Sequence, residues 1–210
     1  MKIIGMLGLV LLAGCMTAPR DRAADKVYDF GVSPTLGASA VKLQGSVMVA
    51  EAGAKAWLDT PAIQYRLGYH DPTQLRAYAQ SRWAAPPSAL LTERLKSHAA
   101  SLSHEGVVGA NDEVRSDYVL RVELEEFTQV FDSAEQSRGI AQLRASLIDR
   151  NTRALIAQQR FRAERLAPTP NAEGAAHALT AASDELVVAV TDWLAKKMEE
   201  SNKQRRDKKS

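Results

Sequence analysis

The side chain with the clearest chemistry is the thiol of Cys15, the only cysteine among 210 residues. Its thiolate is a soft nucleophile that a diacylglyceryl donor can alkylate. Cys15 directly follows Leu12, Ala13 and Gly14, one branched apolar residue and two small ones that fit a narrow protease subsite. This order of residue types predicts cleavage before Cys15 and attachment of lipid to it.

Residues 1–14 have the layout of a signal peptide. Lys2 supplies the positive charge, and the apolar run from Ile3 to Ala13 is shorter than the roughly 20 residues that cross a bilayer. Since the run ends in Leu-Ala-Gly-Cys, the spacing of a bacterial lipobox, we expect a lipoprotein whose mature chain begins at Cys15. An ordinary secretory signal with a chance cysteine is the alternative.

The residue after the cysteine bears on the destination of the lipoprotein. Met16 stands there, and in Gram-negative lipoproteins a residue other than Asp permits sorting to the outer membrane. We therefore expect the periplasmic face of the outer membrane, with the inner membrane as the alternative. A single cysteine also leaves no disulfide framework.

Other reactive side chains form no catalytic or metal-binding pattern. His70, His98, His104 and His177 lie outside the H-E-x-x-H and C-x-x-C spacings of zinc sites. No G-x-S-x-G, Walker or dinucleotide-binding glycine pattern occurs in the mature chain. The sequence therefore predicts no metal, no cofactor and no enzymatic activity.

Three glutamates could in principle form an acid–base group. Glu123, Glu125 and Glu126 lie close in sequence, but the alternation of this segment places Glu123 and Glu125 together on the polar face of one strand. A solvated or subunit-facing sheet surface is the interpretation that we prefer.

Charge is balanced over the whole chain and uneven at its end. The formal net charge is +2, which gives no reason to expect a nucleic-acid partner. The last fifteen residues hold seven cations: Lys196, Lys197, Lys203, Arg205, Arg206, Lys208 and Lys209. A frayed, solvated helix end explains them, and contact with anionic lipid headgroups or an acidic partner is the alternative.

Hydrophobic periodicity predicts the elements of one domain. Strands are expected at 27–30, 44–50, 57–61, 63–67, 118–127, 141–149 and 155–163, while residues 75–83 fit either a strand or a short helix. The first helix is expected from Pro86 to before Gly106. A long terminal helix follows Asn171, with this apolar stripe: Leu179, Ala182, Leu186, Val190, Trp193 and Met198.

These elements predict an α+β fold, a single domain with a mostly antiparallel β-sheet and two main helices packed on one side. The domain is expected at 27–198, after the signal peptide at 1–14 and a lipidated tether at 15–26, and before a basic tail at 199–210. Eleven extended residues, 16–26, span at most about 36 Å, which would keep the domain near its membrane.

Five segments then occur in an order that identifies a family. Residues 57–60 read Trp-Leu-Asp-Thr, 63–65 read Ile-Gln-Tyr, 82–87 read Arg-Trp-Ala-Ala-Pro-Pro, 117–120 read Asp-Tyr-Val-Leu, and 145–149 read Ala-Ser-Leu-Ile-Asp. Together they resemble the ABC-type transport auxiliary lipoprotein family, the PqiC-like proteins. The resemblance covers roughly residues 27 to 195.

The resemblance implies a non-enzymatic accessory that acts beside an ABC transporter and an MCE-domain protein. Such systems move phospholipids or other hydrophobic molecules across the periplasm and support envelope integrity. It also implies a homo-oligomeric ring, and it transfers no catalytic residue. Two other classes remain open: a structural lipoprotein of outer-membrane assembly, and a module that binds a small apolar ligand.

Overall fold

The computed structural model describes residues 25–32, 42–103, 106–109 and 115–207. Cys15, most of the expected tether, His104, Lys208 and Lys209 lie outside these residues. The elements along the chain are β1 (Lys26–Tyr28), β2 (Val47–Val49), β3 (Gly53–Ala54), β4 (Ala62–Leu67), β5 (Asp71–Trp83), α1 (Pro87–Leu102), β6 (Val107–Gly109), β7 (Tyr118–Phe131), β8 (Ser137–Asp149), β9 (Leu155–Leu166) and α2 (Ala172–Asp207).

The sheet is organised around β7, which has different neighbours on its two edges. On one edge β8 and β9 continue it as an antiparallel meander. On the other edge three short strands lie one after another, all parallel to β7: β2, then β3, then β4. The predicted fold class, α+β with a mostly antiparallel sheet and two helices on one side, is confirmed.

Alternation along β7 explains which face of the sheet receives the helices. Tyr118, Leu120, Val122 and Leu124 are buried, while the residues between them point to the other face. A bulge between Leu124 and Glu126 shifts the alternation by one residue. The buried face therefore continues with Phe127, Gln129 and Phe131.

The terminal helix starts at a side-chain cap and approaches the sheet closely. The Oδ1 atom of Asn171 accepts a hydrogen bond from the Gly174 amide at 3.0 Å. On β8, a Cβ at Gly139 would lie 2.8 Å from the backbone nitrogen of Leu179, so only glycine allows this approach. The predicted apolar stripe of α2 is buried, and the helix continues to Asp207, beyond the expected domain end at residue 198.

The strand expected at 57–61 is wrong: these residues form a turn, in which the amides of Leu58 and Asp59 both donate to the carbonyl of Lys55. Two further expectations are resolved by the structure. Residues 75–83, which fitted either a strand or a helix, belong to the long strand β5. Helix α1 begins at Pro87, where the missing N–H has no cost, and buries Leu91, Leu95 and Leu102.

Candidate functional site

The first described element shows where the chain enters the domain. Strand β1 pairs in parallel with the end of β5, with Lys26 opposite Ser81 and Tyr28 opposite Trp83. Cys15 itself lies outside the described residues. Whatever holds the chain upstream of residue 25 therefore acts on the domain through β1.

Three aromatic rings pack behind this strand. The rings of Phe30 and Trp83 are 5.6 Å apart in an edge-to-face arrangement, and Phe127 lies 6.0 Å from Phe30 and 5.6 Å from Trp83. Trp83 is fully buried, whereas Trp57, the other tryptophan of the first half, is 37% exposed. The segment after β1 is thus held by the interior of the sheet.

A buried arginine ties the same segment to both helices. Arg94 of α1 donates hydrogen bonds to the carbonyl oxygens of Phe30 and Gly31, the latter at 3.3 Å. Its Nε lies 3.3 Å from Oδ1 of Asp184 on α2. Burial raises the pKa of Asp184, against the opposing effects of Arg94 and His98. We call Phe30, Trp83, Arg94, Phe127 and Asp184 the N-terminal cluster.

Arg94 was not predicted from the sequence as a functional residue, although its position on α1 indicates that it is buried. It lies three residues after Leu91 and four before His98, so it falls on the buried face of α1. A charged residue within an apolar stripe indicates a buried partner.

A groove of about 420 Å³ lies beside the N-terminal cluster, between β1 and α2. Tyr28 and Phe30 contribute apolar surface from one side, and Ala176 and Ala181 contribute it from the helix. Asp29, His177 and Asp184 add polar groups. The groove could accept a small, mainly apolar molecule.

Two of the three glutamates of β7 are engaged in ion pairs across the sheet, whereas the Oε1 atom of Glu126 is buried without a hydrogen-bond partner. Glu123 pairs with Arg144 of β8, and Glu125 accepts hydrogen bonds from Gln142 at 3.0 Å and Arg160 at 2.9 Å. Burial alone would raise the pKa of Glu125, but these two donors and the charges of Arg160 and Arg144 together outweigh burial and the pKa is lowered. Its carboxylate is therefore charged at neutral pH, which suits a polar surface and not a proton donor.

The histidines of the described residues are far apart in the fold. His70 is exposed at the turn between β4 and β5, His98 is buried on α1, and His177 is exposed on α2. In the described part of the chain, no group of three or more His, Cys, Asp or Glu could hold a metal ion. Neither of its two helices is long and apolar enough to cross a membrane.

The fold of this chain is similar to that of two proteins with crystal structures. The crystal structure of a DUF330 protein from Xanthomonas campestris has a TM-score of 0.73 at 19% identity, covering 86% of this chain and 99% of that one. A second crystal structure, of an uncharacterised protein, has a TM-score of 0.62 at 16% identity, covering 82% and 99%. At these identities the likeness shows the fold alone.

Sequence comparison gives the family. No curated protein matches the chain. The model of the family described as "ABC-type transport auxiliary lipoprotein component" matches residues 28–191, which run from the last residue of β1 into the second half of α2. The chain therefore belongs to the ABC-type transport auxiliary lipoprotein component family.

Proposed function

We propose that the mature chain is a lipid-anchored, non-enzymatic accessory of an ABC/MCE transport system. It would move no cargo by chemistry of its own, but would provide a fixed docking point for components that carry phospholipid or another hydrophobic molecule across the periplasm. The observation that carries this proposal is the family match over residues 28–191, nearly the whole folded domain. A tethered docking point raises the effective concentration of its partner.

The anchor is proposed to be lipid on Cys15, at the periplasmic face of the outer membrane. The N-terminal cluster supports this proposal because it fastens the segment after β1 to the sheet and to both helices. Replacing Cys15 by Ala should give an unprocessed precursor or release the protein from membranes. Processing before residue 15 and extraction only with detergent in Cys15→Ala would contradict lipid anchoring.

The partner is proposed to be an MCE-domain protein of the same organism. The mature lipoprotein, reconstituted in nanodiscs, should bind that protein without nucleotide, as measured by biolayer interferometry. An outer-membrane assembly protein is the matched control, because it represents the structural alternative. Binding to the control alone would replace the transport function by that alternative. Native mass spectrometry of the lipoprotein released from detergent tests for the ring, which would appear as one complex with several times the mass of one protomer.

A second function, binding of a small apolar ligand, is favoured by the groove beside β1. Ala181→Trp should fill this groove from α2 without replacing a member of the N-terminal cluster, although Phe30 and Asp184 of that cluster also line the groove. Thermal unfolding checks that the variant keeps the stability of the wild type. Native mass spectrometry of the lipoprotein purified from cells should show a bound small molecule in the wild type and lose it in Ala181→Trp. Its absence from the wild type would exclude this second function.

A further inference from the structure

We propose that the end of the domain around the C-terminus of α2 is the docking surface, and that it receives an acidic segment of a partner protein. This inference deepens the proposed function, on which it rests for the docking role. It concerns a region that the sequence had left between two interpretations, a frayed helix end and a contact surface.

Four segments that are distant in sequence meet at this end. Asn202 of α2 donates to the carbonyl of Gln44 at 2.9 Å, and Arg205 pairs with Asp149 at the end of β8. The Arg150 amide donates to the carbonyl of Asp117 at 3.0 Å, just before β7. The surface is therefore formed by residues 42–46, 115–118, 149–155 and 202–207.

Positive charge is concentrated on these segments. Six of their cations are exposed, and we call this set the basic end: Lys42, Arg115, Arg150, Arg153, Lys203 and Arg206. With Arg205 the segments hold seven Lys and Arg against three Asp, a net charge of +4. The other 20 Lys and Arg and 22 Asp and Glu of the chain sum to −2.

Among the described residues, these segments contain three Asp, and two of them are turned inwards. Asp117 is part-buried and accepts hydrogen bonds from the amide and hydroxyl of Ser46, at 3.1 and 2.9 Å. Asp149 is part-buried against Arg205 and the amides of the following turn. Of the three, only Asp207 is exposed.

The end of the helix is fixed in place. The guanidinium of Arg205 lies 4.9 Å from the ring centre of Tyr118, and the Tyr118 hydroxyl donates to Oδ1 of Asn202 at 2.6 Å. Ser201 is buried. Cations on a rigid surface lose less conformational entropy on binding than cations on a frayed end, and so favour a specific partner.

Two observations favour a protein partner over a lipid surface. Among the exposed large hydrophobic residues, Leu155 is the one that belongs to these segments, whereas interfacial segments expose a broader apolar face. Phe127, which contacts Phe30 near the chain entry, lies nine residues along β7 from Tyr118, or about 30 Å. A tether of at most about 36 Å must be nearly fully extended for the basic end to reach the anchoring membrane.

The test measures an acidic peptide on the complete mature lipoprotein in phosphatidylcholine nanodiscs. The probe is a fluorescent peptide of alternating Glu and Ser, about twelve residues long, with a Gln–Ser peptide as control. Fluorescence anisotropy at about 150 mM NaCl should show binding of the Glu peptide only, weakening as salt is raised.

Two triple variants with equal changes of charge locate the binding site. Arg153→Glu, Lys203→Glu and Arg206→Glu together should weaken binding at least about tenfold. Lys26→Glu, Lys55→Glu and Arg82→Glu, three exposed cations elsewhere on the domain, should weaken it less than about twofold. Circular dichroism checks that both variants are folded.

Each other outcome overturns the proposal. If the wild type does not bind the Glu peptide, the proposed docking surface is wrong. If both triple variants lose affinity equally, the binding depends only on the net charge of the whole molecule. Binding to vesicles containing phosphatidylglycerol that depends on the basic end, without peptide binding, indicates a lipid surface. If an MCE-domain protein binds the wild type and the basic-end variant equally, this docking surface is wrong while the proposed function stands.

Discussion

Helix α2 contributes one partner to each of two Arg–Asp pairs, Asp184 from its first half and Arg205 from its second. The two pairs differ in burial. In the first half, the side chains of Arg94 and Asp184 are 3% and 18% exposed. In the second half, those of Arg205 and Asp149 are 35% and 13% exposed. The same chemistry therefore serves two purposes: the buried pair holds the chain entry in place, and the partly exposed pair positions a charged surface.

Burial sets the energetic consequence of breaking each pair. Removing one partner of a buried pair leaves a charge without compensation in a medium of low dielectric constant, whereas water screens an exposed pair. Substitutions in the N-terminal cluster should therefore lower the stability of the fold, and those at the basic end should change binding.

The largest effect is expected at Trp83. Trp83→Ala removes a fully buried ring from contact with Phe30 and Phe127 and should cost about 3 to 5 kcal/mol. The melting temperature should fall by about 6 to 20 °C. Trp57→Ala is the control and should cost less than about 1 kcal/mol, because that ring is 37% exposed. An unchanged melting curve for Trp83→Ala together with lost partner binding would make Trp83 a surface contact.

Replacing Arg94 should lower the free energy of unfolding more than replacing Arg205. Arg94→Leu should cost about 3 kcal/mol by leaving Asp184 without its partner, whereas Arg205→Leu should cost no more than about 1 kcal/mol. Urea denaturation measures both, and the double variant Arg94→Leu, Asp184→Leu should regain part of the loss. Equal losses of unfolding free energy on replacing Arg94 and Arg205 would contradict the distinction between the two halves of α2.

Much of the fold follows from local patterns in the sequence. The alternation of Tyr118, Leu120 and Val122 predicted β7, and the stripe from Leu179 to Met198 predicted α2, because each pattern is long and repeats the period of its element. The parallel neighbours of β7 could not be predicted in this way. They are two to six residues long and are held by pairing across distant parts of the chain.

The candidate sites were less predictable than the fold. The spacing of Arg94 places it on the buried face of α1, but its partner could not be predicted, because Asp184 lies on the other helix, 90 residues further along the chain. The residues from Lys203 onward look like a solvated tail because the contacts that fix them, Tyr118 to Asn202 and Arg205 to Asp149, join positions far apart in sequence. The lipidation site of Cys15 remains a prediction.

The smallest effect is a pH dependence arising beside the N-terminal cluster. Burial lowers the pKa of His98, against the opposing charges of Asp192 and Asp184. Since the unfolded chain binds this proton more readily, neutral His98 contributes stability above its unfolded pKa of about 6.5, and that contribution is lost as the pH falls through the lowered pKa. The melting temperature of the wild type should therefore decrease between about pH 7.5 and pH 5.

His98→Leu should show a flatter decrease over the same range, because it removes the group whose pKa changes on folding. The exposed His177 provides the control, and His177→Leu should follow the wild type. If His98→Leu and the wild type have the same slope, the pH dependence has another origin.

The proposed anchor and docking surface both depend on the role of the protein as a transport accessory. Crosslinking in intact cells that express the lipoprotein at its native level, followed by mass spectrometry of what is captured, tests this role most directly. We expect that an MCE-domain protein or an ABC-transporter component is recovered with the wild type. Recovery of outer-membrane assembly proteins, with no MCE-domain or ABC-transporter component, would contradict it.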